Sequence, residues 1–191
     1  MPPMYPTLRT HVAGIRHDSG RSTKVDIAAH RIAKDEFFAT DPRSPIPEDR
    51  RNGFVGLTYF DPDPQYVFTV QPVPIERIPT IIATTTGDER MYHAAAEVVI
   101  DIEGRQVTLT LFDTGHDGFF LPFRDATSGR ETYGAGRYLA LHPNLDGTVT
   151  IDFNLAYAPF CAYNDAYSCA IPPAGNWLTA PIRAGERLPE T

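Results

Sequence analysis

Two cysteines, a cluster of glycines and most of the polar groups able to do chemistry crowd into residues 119–173. Cys161 and Cys169 have seven residues between them, among them Tyr163, Asn164, Asp165 and Tyr167. A disulfide here would close a short loop and contribute roughly 2.5 kcal/mol through chain entropy. Zinc would need about four ligands, with close cysteine pairs, and the spacing supplies neither these nor a neighbouring histidine pair. No metal and no cofactor is therefore expected. A nucleophilic Cys161 thiolate would need a basic partner, with His93, His116 and His142 as candidates for the fold to bring close. Two inert buried thiols are the expected state, ahead of a disulfide and of catalysis.

Upstream, Arg124-Asp125-Ala126-Thr127-Ser128-Gly129 has the makings of a pinned turn, since Asp, Thr and Ser accept backbone N–H bonds. The following Thr132-Tyr133-Gly134-Ala135-Gly136-Arg137 puts small residues where a backbone must come close to a ligand or another strand. Its glycine spacing is not that of a dinucleotide loop. Arg137 shares the parity of Leu139 and Leu141, which predicts a buried guanidinium needing a carboxylate, Asp125 or Asp152. Lining a cavity, the pair would bind an anion; sealed, it would lock the loop to the sheet, and the lock is favoured. Asp152, Asn154 and Tyr163 follow where the chain leaves a strand, a usual place for a pocket mouth.

These groups set the leading functional expectation. It is a small polar or anionic ligand held by Arg124, Asp125, Tyr133, Arg137, Asp152, Asn154 and Tyr163. The alternatives are a hydrolase or transferase with Cys161 as catalytic nucleophile, and a structural or partner-binding module. His93 and Glu97 share one strand face and read as solvated.

The elements that must position these residues are mostly strands. A helix is predicted from Ser22 or Thr23, with Val25, Ala28, Ala29 and Ile32 packed inward, ending at Asp41-Pro42. From residue 53 the period changes to two. Ala96, Val98, Ile100 and Ile102 alternate up to a turn at Glu103-Gly104, and Val107, Leu109 and Leu111 return. About eight short strands, at 53–60, 66–70, 80–86, 91–102, 107–111, 119–123, 137–141 and 148–153, predict an all-β, mainly antiparallel barrel. A two-sheet sandwich is the close alternative. The Pro-rich residues after 153 are too apolar to float free and should pack as an ordered coil, with 180–182 as an edge strand. Residues 1–21 read as a flexible tail and 22–191 as one domain.

The 191 residues carry 17 basic and 24 acidic side chains, a net charge of −7, with no basic cluster. That speaks against nucleic acid as a partner. No stretch approaches the ~20 apolar residues of a membrane helix, and the N-terminus lacks an apolar signal core, so a cytoplasmic address is expected. Oligomeric state leaves no signature.

The phrases PFRDATSGRETYGAGRYL, IDFNLAYAPFCAYNDAYSC and PIRAGE resemble the bacterial and archaeal family named domain of unknown function 1684, and GFVGLTYF and TTTGDERMY look like its earlier landmarks. The likeness spans residues 32–186. The chain departs from the family's usual wording at Ala158, Phe160, Ala170 and Ala174-Gly175. The resemblance implies fold boundaries and assigns no activity.

Overall fold

The computed structural model describes residues 25–115 and 118–188. The expected tail at 1–21 and the expected caps Ser22 and Thr23 lie outside the described residues.

Helix α1 (Ile27–Thr40) starts where the Asp26 side chain accepts from the Ala29 N–H at 3.0 Å and stops at Asp41. Its rotation differs from the expected one. Val25, Ala28, Ala29 and Ile32 face solvent, Ile32 at 68% exposure, while Lys34 and Phe38 are buried. Polar anchors set this rotation. Arg31 donates to the Phe60 carbonyl at 2.9 Å, and Asp35 accepts from the Leu57 N–H at 2.9 Å. A weakly apolar stripe cannot outbid such bonds when a buried carboxylate waits for Lys34. A short helix, α2 (Glu48–Arg51), follows.

Seven strands come next: β1 (Val67–Val70), β2 (Val73–Ala83), β3 (Glu89–Ile102), β4 (Arg105–Asp113), β5 (Phe119–Phe123), β6 (Arg137–Leu141) and β7 (Val149–Asp152). Strands β2 to β6 form an antiparallel meander in sequence order, and β1 pairs with β7 in a second, two-stranded sheet. The larger sheet stays open, so the first-choice closed barrel gives way to two sheets, within an all-β class that holds. The reason lies at Asn144-Leu145-Asp146-Gly147. Asn144 N–H donates to the Thr148 carbonyl at 2.7 Å and Asp146 accepts from Thr148 N–H at 3.0 Å, a tight turn. It redirects β7 to β1 instead of extending the meander.

Two other expected strands are absent. Residues 53–60 make only a bridge, Tyr59 to Glu186. At 180–182 the backbone is taken by side chains, Ile182 N–H bonding Asp125 and Ile182 C=O accepting from Arg137.

The β3–β4 hairpin turns at Glu103 and Gly104 with φ of 54° and 77°, the two left-handed positions of a tight hairpin. Val98, Ile100, Leu109, Leu111, Leu121, Phe123 and Leu139 form the main core with Val149, Ile151 and Phe153 from the β7 region and Leu178, Ile182 and Ala184 from the C-terminal coil. A register shift between Ala94 and Ala96 inverts which side of β3 faces this core. Below it, Tyr92 and Ala94 join Phe112, Phe120, Tyr138 and Ala170 in a second cluster on the opposite face. Strands β5 and β6 are thus covered on both sides. The coil that carries the cysteines lies on the second side.

The C-terminal coil is held by close backbone approach at Gly185. It sits at φ +77°, and a Cβ there would meet the carbonyl oxygens of Ala156 at 2.5 Å and Phe153 at 2.7 Å. Gly185→Ala is expected to lower stability by about 3 kcal/mol, combining left-handed strain with overpacking. A urea melt would read this as a lower midpoint at unchanged slope; an unchanged midpoint would contradict the close approach.

Candidate functional site

Three groups of polar residues sit around the C-terminal coil. The first is a clasp. Arg137 is fully buried and donates to the carbonyls of Ile182 at 2.7 Å, Glu186 at 3.1 Å and Ala184, and to Asp125 Oδ1 at 3.3 Å. Asp125 is the carboxylate partner; Asp152 is not. Asp125 also accepts from Thr127 Oγ1 at 2.7 Å and Ile182 N–H at 2.7 Å, and Thr127 meets Thr132 at 2.9 Å. Burial lowers the Arg137 pKa, and Asp125 opposes that shift. The pair locks the turn at 125–132 and β6 to residues 182–186.

The other expected ligand-binding residues scatter. Arg124 lies over the Trp177 ring at 4.8 Å. Asp152 caps its own turn, accepting from Asn154 N–H at 2.9 Å. Asn154 accepts from the Asp63 N–H at 2.8 Å and donates to its carbonyl at 2.9 Å, pinning the chain that enters β1. Tyr133 and Tyr163 fall to the two remaining groups. The seven do not converge on one cavity.

The second group is buried under α1. Glu186, 2% exposed, forms an ion pair through Oε1 with Lys34 Nζ, and its Oε2 accepts from Ala158 N–H at 2.7 Å and Tyr163 O–H at 2.8 Å. Burial first, then the neighbouring carboxylate, raises the Tyr163 pKa, so its phenol stays a donor. Burial and the Lys34 charge hold His30 below the ordinary imidazole value. Neither Lys34 nor Glu186 was among the expected site residues. The signal available was Glu186 itself, the carboxylate that ends PIRAGE.

The third group is the thiol pair. Cys161 is the middle residue of a single 3-10 turn at residues 160–162, and its N–H donates to Cys169 Sγ at 3.3 Å. Both cysteines are free and buried. Cys169 N–H in turn donates to Thr85 Oγ1 at 3.1 Å, in the turn between β2 and β3. That turn is braced by Asp88, which accepts from Thr84 and Thr86 hydroxyls and from Ser168 Oγ at 2.7 Å. The Cys161 thiol is drawn down to about 6, chiefly by the Cys169 thiol donating to it, with the Tyr133 and Thr85 hydroxyls adding to this against the effect of burial. Cys169 shifts the other way: the bond to Cys161 and burial both hold its proton, opposed by the Arg90 charge. Tyr133 stays protonated as well, mainly through burial. The arrangement favours the charged form of Cys161 beside a protonated Cys169.

Among the described residues no histidine is a leading cause of these shifts. His30 faces Lys34, His142 packs against Gly118 at the end of β5, and His116 lies outside the described residues. His93 instead lines a cleft of about 510 Å³ bounded by Arg77, Arg90, Tyr92, Asp113 and Phe120. Arg90 and Tyr92 are common to this cleft and to the electrostatic surroundings of Cys169. Among the described residues no group of three or more His, Cys, Asp and Glu could hold a metal ion. No helix among them is long and apolar enough to cross a membrane.

Fold and site together define a two-sheet β-domain fastened by an ordered C-terminal coil that carries a thiol pair. The chain belongs to the family described as protein of unknown function DUF1684, which matches residues 52–187. A solution NMR structure of an uncharacterised protein from Haloarcula marismortui is similar at 40% identity, covering 85% of this chain and 92% of that one with a TM-score of 0.68. No curated protein matches the chain.

Proposed function

We propose that the protein reduces a small hydroperoxide with its two thiols, Cys161 attacking and Cys169 resolving. The observation that carries this reading is the 3.3 Å bond from Cys161 N–H to Cys169 Sγ, which seats the two thiols side by side. The low Cys161 pKa supplies the thiolate that is the nucleophilic form. A hydrolase or transferase needs a base to take up a proton from its nucleophile and return it to a leaving group. A thiolate beside a second thiol needs no such base.

The Cys161 thiolate attacks the terminal peroxide oxygen; an S–O bond forms, the O–O bond breaks, and the alkoxide takes a proton from water. Cys161 is then a sulfenic acid. The Cys169 sulfur attacks it, forming the S–S bond, and the departing hydroxide leaves as water with the Cys169 proton. Two thiols have given two electrons to the peroxide. The Tyr133 hydroxyl donates to the Cys161 carbonyl and the Thr85 hydroxyl to the Tyr167 carbonyl, both at 3.4 Å, which places both beside the sulfur whose charged form they favour.

A small polar ligand fits better in the cleft, where Arg77 pairs with Asp113 beside Arg90 and His93, than at the set expected from sequence, because the terminal nitrogens of Arg137 and the Asp125 carboxylate are engaged by the C-terminal coil.

Treating the reduced native protein with tert-butyl hydroperoxide is expected to consume both thiols and leave a Cys161–Cys169 cross-link in peptide maps. Cys169→Ser should stop at a sulfenic acid that dimedone traps, and Cys161→Ser should give neither product. Survival of both thiols in the native protein, under conditions that oxidise them after denaturation, would overturn the reading.

A further inference from the structure

The buried cluster under α1 has the composition of a site for an organic cation. Lys34 Nζ is paired with Glu186 and lies 4.9 Å from the centre of the Tyr157 ring and 5.5 Å from that of Phe38. A carboxylate with aromatic walls is how proteins commonly receive an ammonium head, through charge-assisted hydrogen bonding and cation–π attraction.

We propose that the β-rich body carries a binding site for a primary aliphatic amine, formed by Glu186, Tyr163 and Tyr157, and that Lys34 of α1 occupies it in cis. The carboxylate is oriented without help from the lysine. Ala158 N–H and Tyr163 O–H both bond Oε2, which leaves Oε1 facing the cation. The site and its plug also come from distant parts of the chain, Lys34 and Glu186 standing 152 positions apart. Besides Lys34, α1 is held by Phe38, which packs against Phe54, Phe160 and Tyr163, and by single hydrogen bonds that join Arg31 and Asp35 to backbone, so withdrawing the plug means opening this helix face.

The chemistry limits the ligand. Direct pairing with Oε1 requires an N–H, so a primary ammonium fits and a tetraalkylated one does not. A neutral alcohol would leave the buried carboxylate without its countercharge. In the intact protein an incoming amine competes with Lys34, so its apparent affinity is reduced by the fraction of molecules with the site open.

The probe is n-butylamine, titrated against full-length protein by calorimetry and thermal melting, with butanol and tetramethylammonium as comparisons. Lys34→Ala is expected to bind n-butylammonium saturably and at least tenfold more tightly than the wild type. Adding Glu186→Gln should abolish that binding. Absence of saturable binding to Lys34→Ala, or binding that survives Glu186→Gln, overturns the proposal. Should Lys34→Ala fail to fold, hydrogen exchange of the wild type decides. n-Butylamine is expected to accelerate exchange across Ile27–Thr40 saturably, and sodium chloride of equal ionic strength is not; unchanged exchange in α1 overturns the proposal.

Discussion

Replacing Arg137 with methionine is expected to destabilise the protein by about 3–5 kcal/mol, the usual cost of removing one member of a buried ion pair. The side chain is fully buried, and its loss leaves the carbonyls of Ile182, Ala184 and Glu186 without their donor. Each buried acceptor left unmet costs on the order of 1–3 kcal/mol, although water entering beside the coil will recover part of it. Asp125 keeps its bonds from Thr127 and Ile182, so the turn at 125–132 should hold. The coil at 182–186 should not. Chemical denaturation would measure the loss, and hydrogen exchange at Glu186 would localise it, since its N–H donates to the Ala156 carbonyl at 2.8 Å within the released segment. A loss below about 1 kcal/mol would mean that the guanidinium is not the element that fastens the coil. Lysine should not rescue, because one ammonium cannot reach three carbonyls and a carboxylate from the rigid geometry of a planar fork.

The second large effect concerns the Cys161 thiol. Its alkylation rate is expected to be flat above a midpoint near pH 6 and to fall tenfold for each pH unit below it. The sign follows from the lowered value: the thiolate dominates above the midpoint and the inert thiol below it. At pH 7 this gives roughly 30 times the thiolate fraction of an ordinary cysteine with a pKa near 8.5. Cys169→Ala should move the midpoint upward, toward the ordinary range, because the bond from Cys169 is the largest contribution to the shift. Tyr133→Phe should move it by less. Both cysteines are nearly sealed, Cys161 at 5% exposure, so the shape of the pH profile is more telling than the absolute rate. A midpoint above 8 in the wild type would remove the preformed thiolate from the proposed reaction.

Much of the architecture was legible in the residues. Strict alternation at Ala96–Ile102 and Val107–Leu111 reports a half-buried strand wherever it occurs, and the Glu103-Gly104 turn joins the two with the register observed. The end of α1 at Asp41-Pro42 and the ordered packing of the coil after Phe153 were equally local matters, set by proline and by apolar content. Arg137 was readable as buried because its parity with Leu139 and Leu141 is a property of one strand.

What tertiary structure decided were partners distant in sequence. Lys34 and Glu186 are 152 positions apart, and nothing in the period of α1 marks Lys34 as an inward residue. Apolar spacing pointed to Ile32; the buried carboxylate turned the helix the other way. The choice of Asp125 over Asp152 rested on where the β6–β7 turn sends the chain, as did the open sheet in place of a barrel. The two thiols stood close in sequence, yet only the fold sets Cys169 as the donor to Cys161 and brings Tyr133 and Thr85 to the same sulfur. Periodicity and turn chemistry act over a few residues and survive in the bare sequence. Charge pairing and pKa shifts depend on what burial brings together, and that is settled only when the coil closes over the sheet.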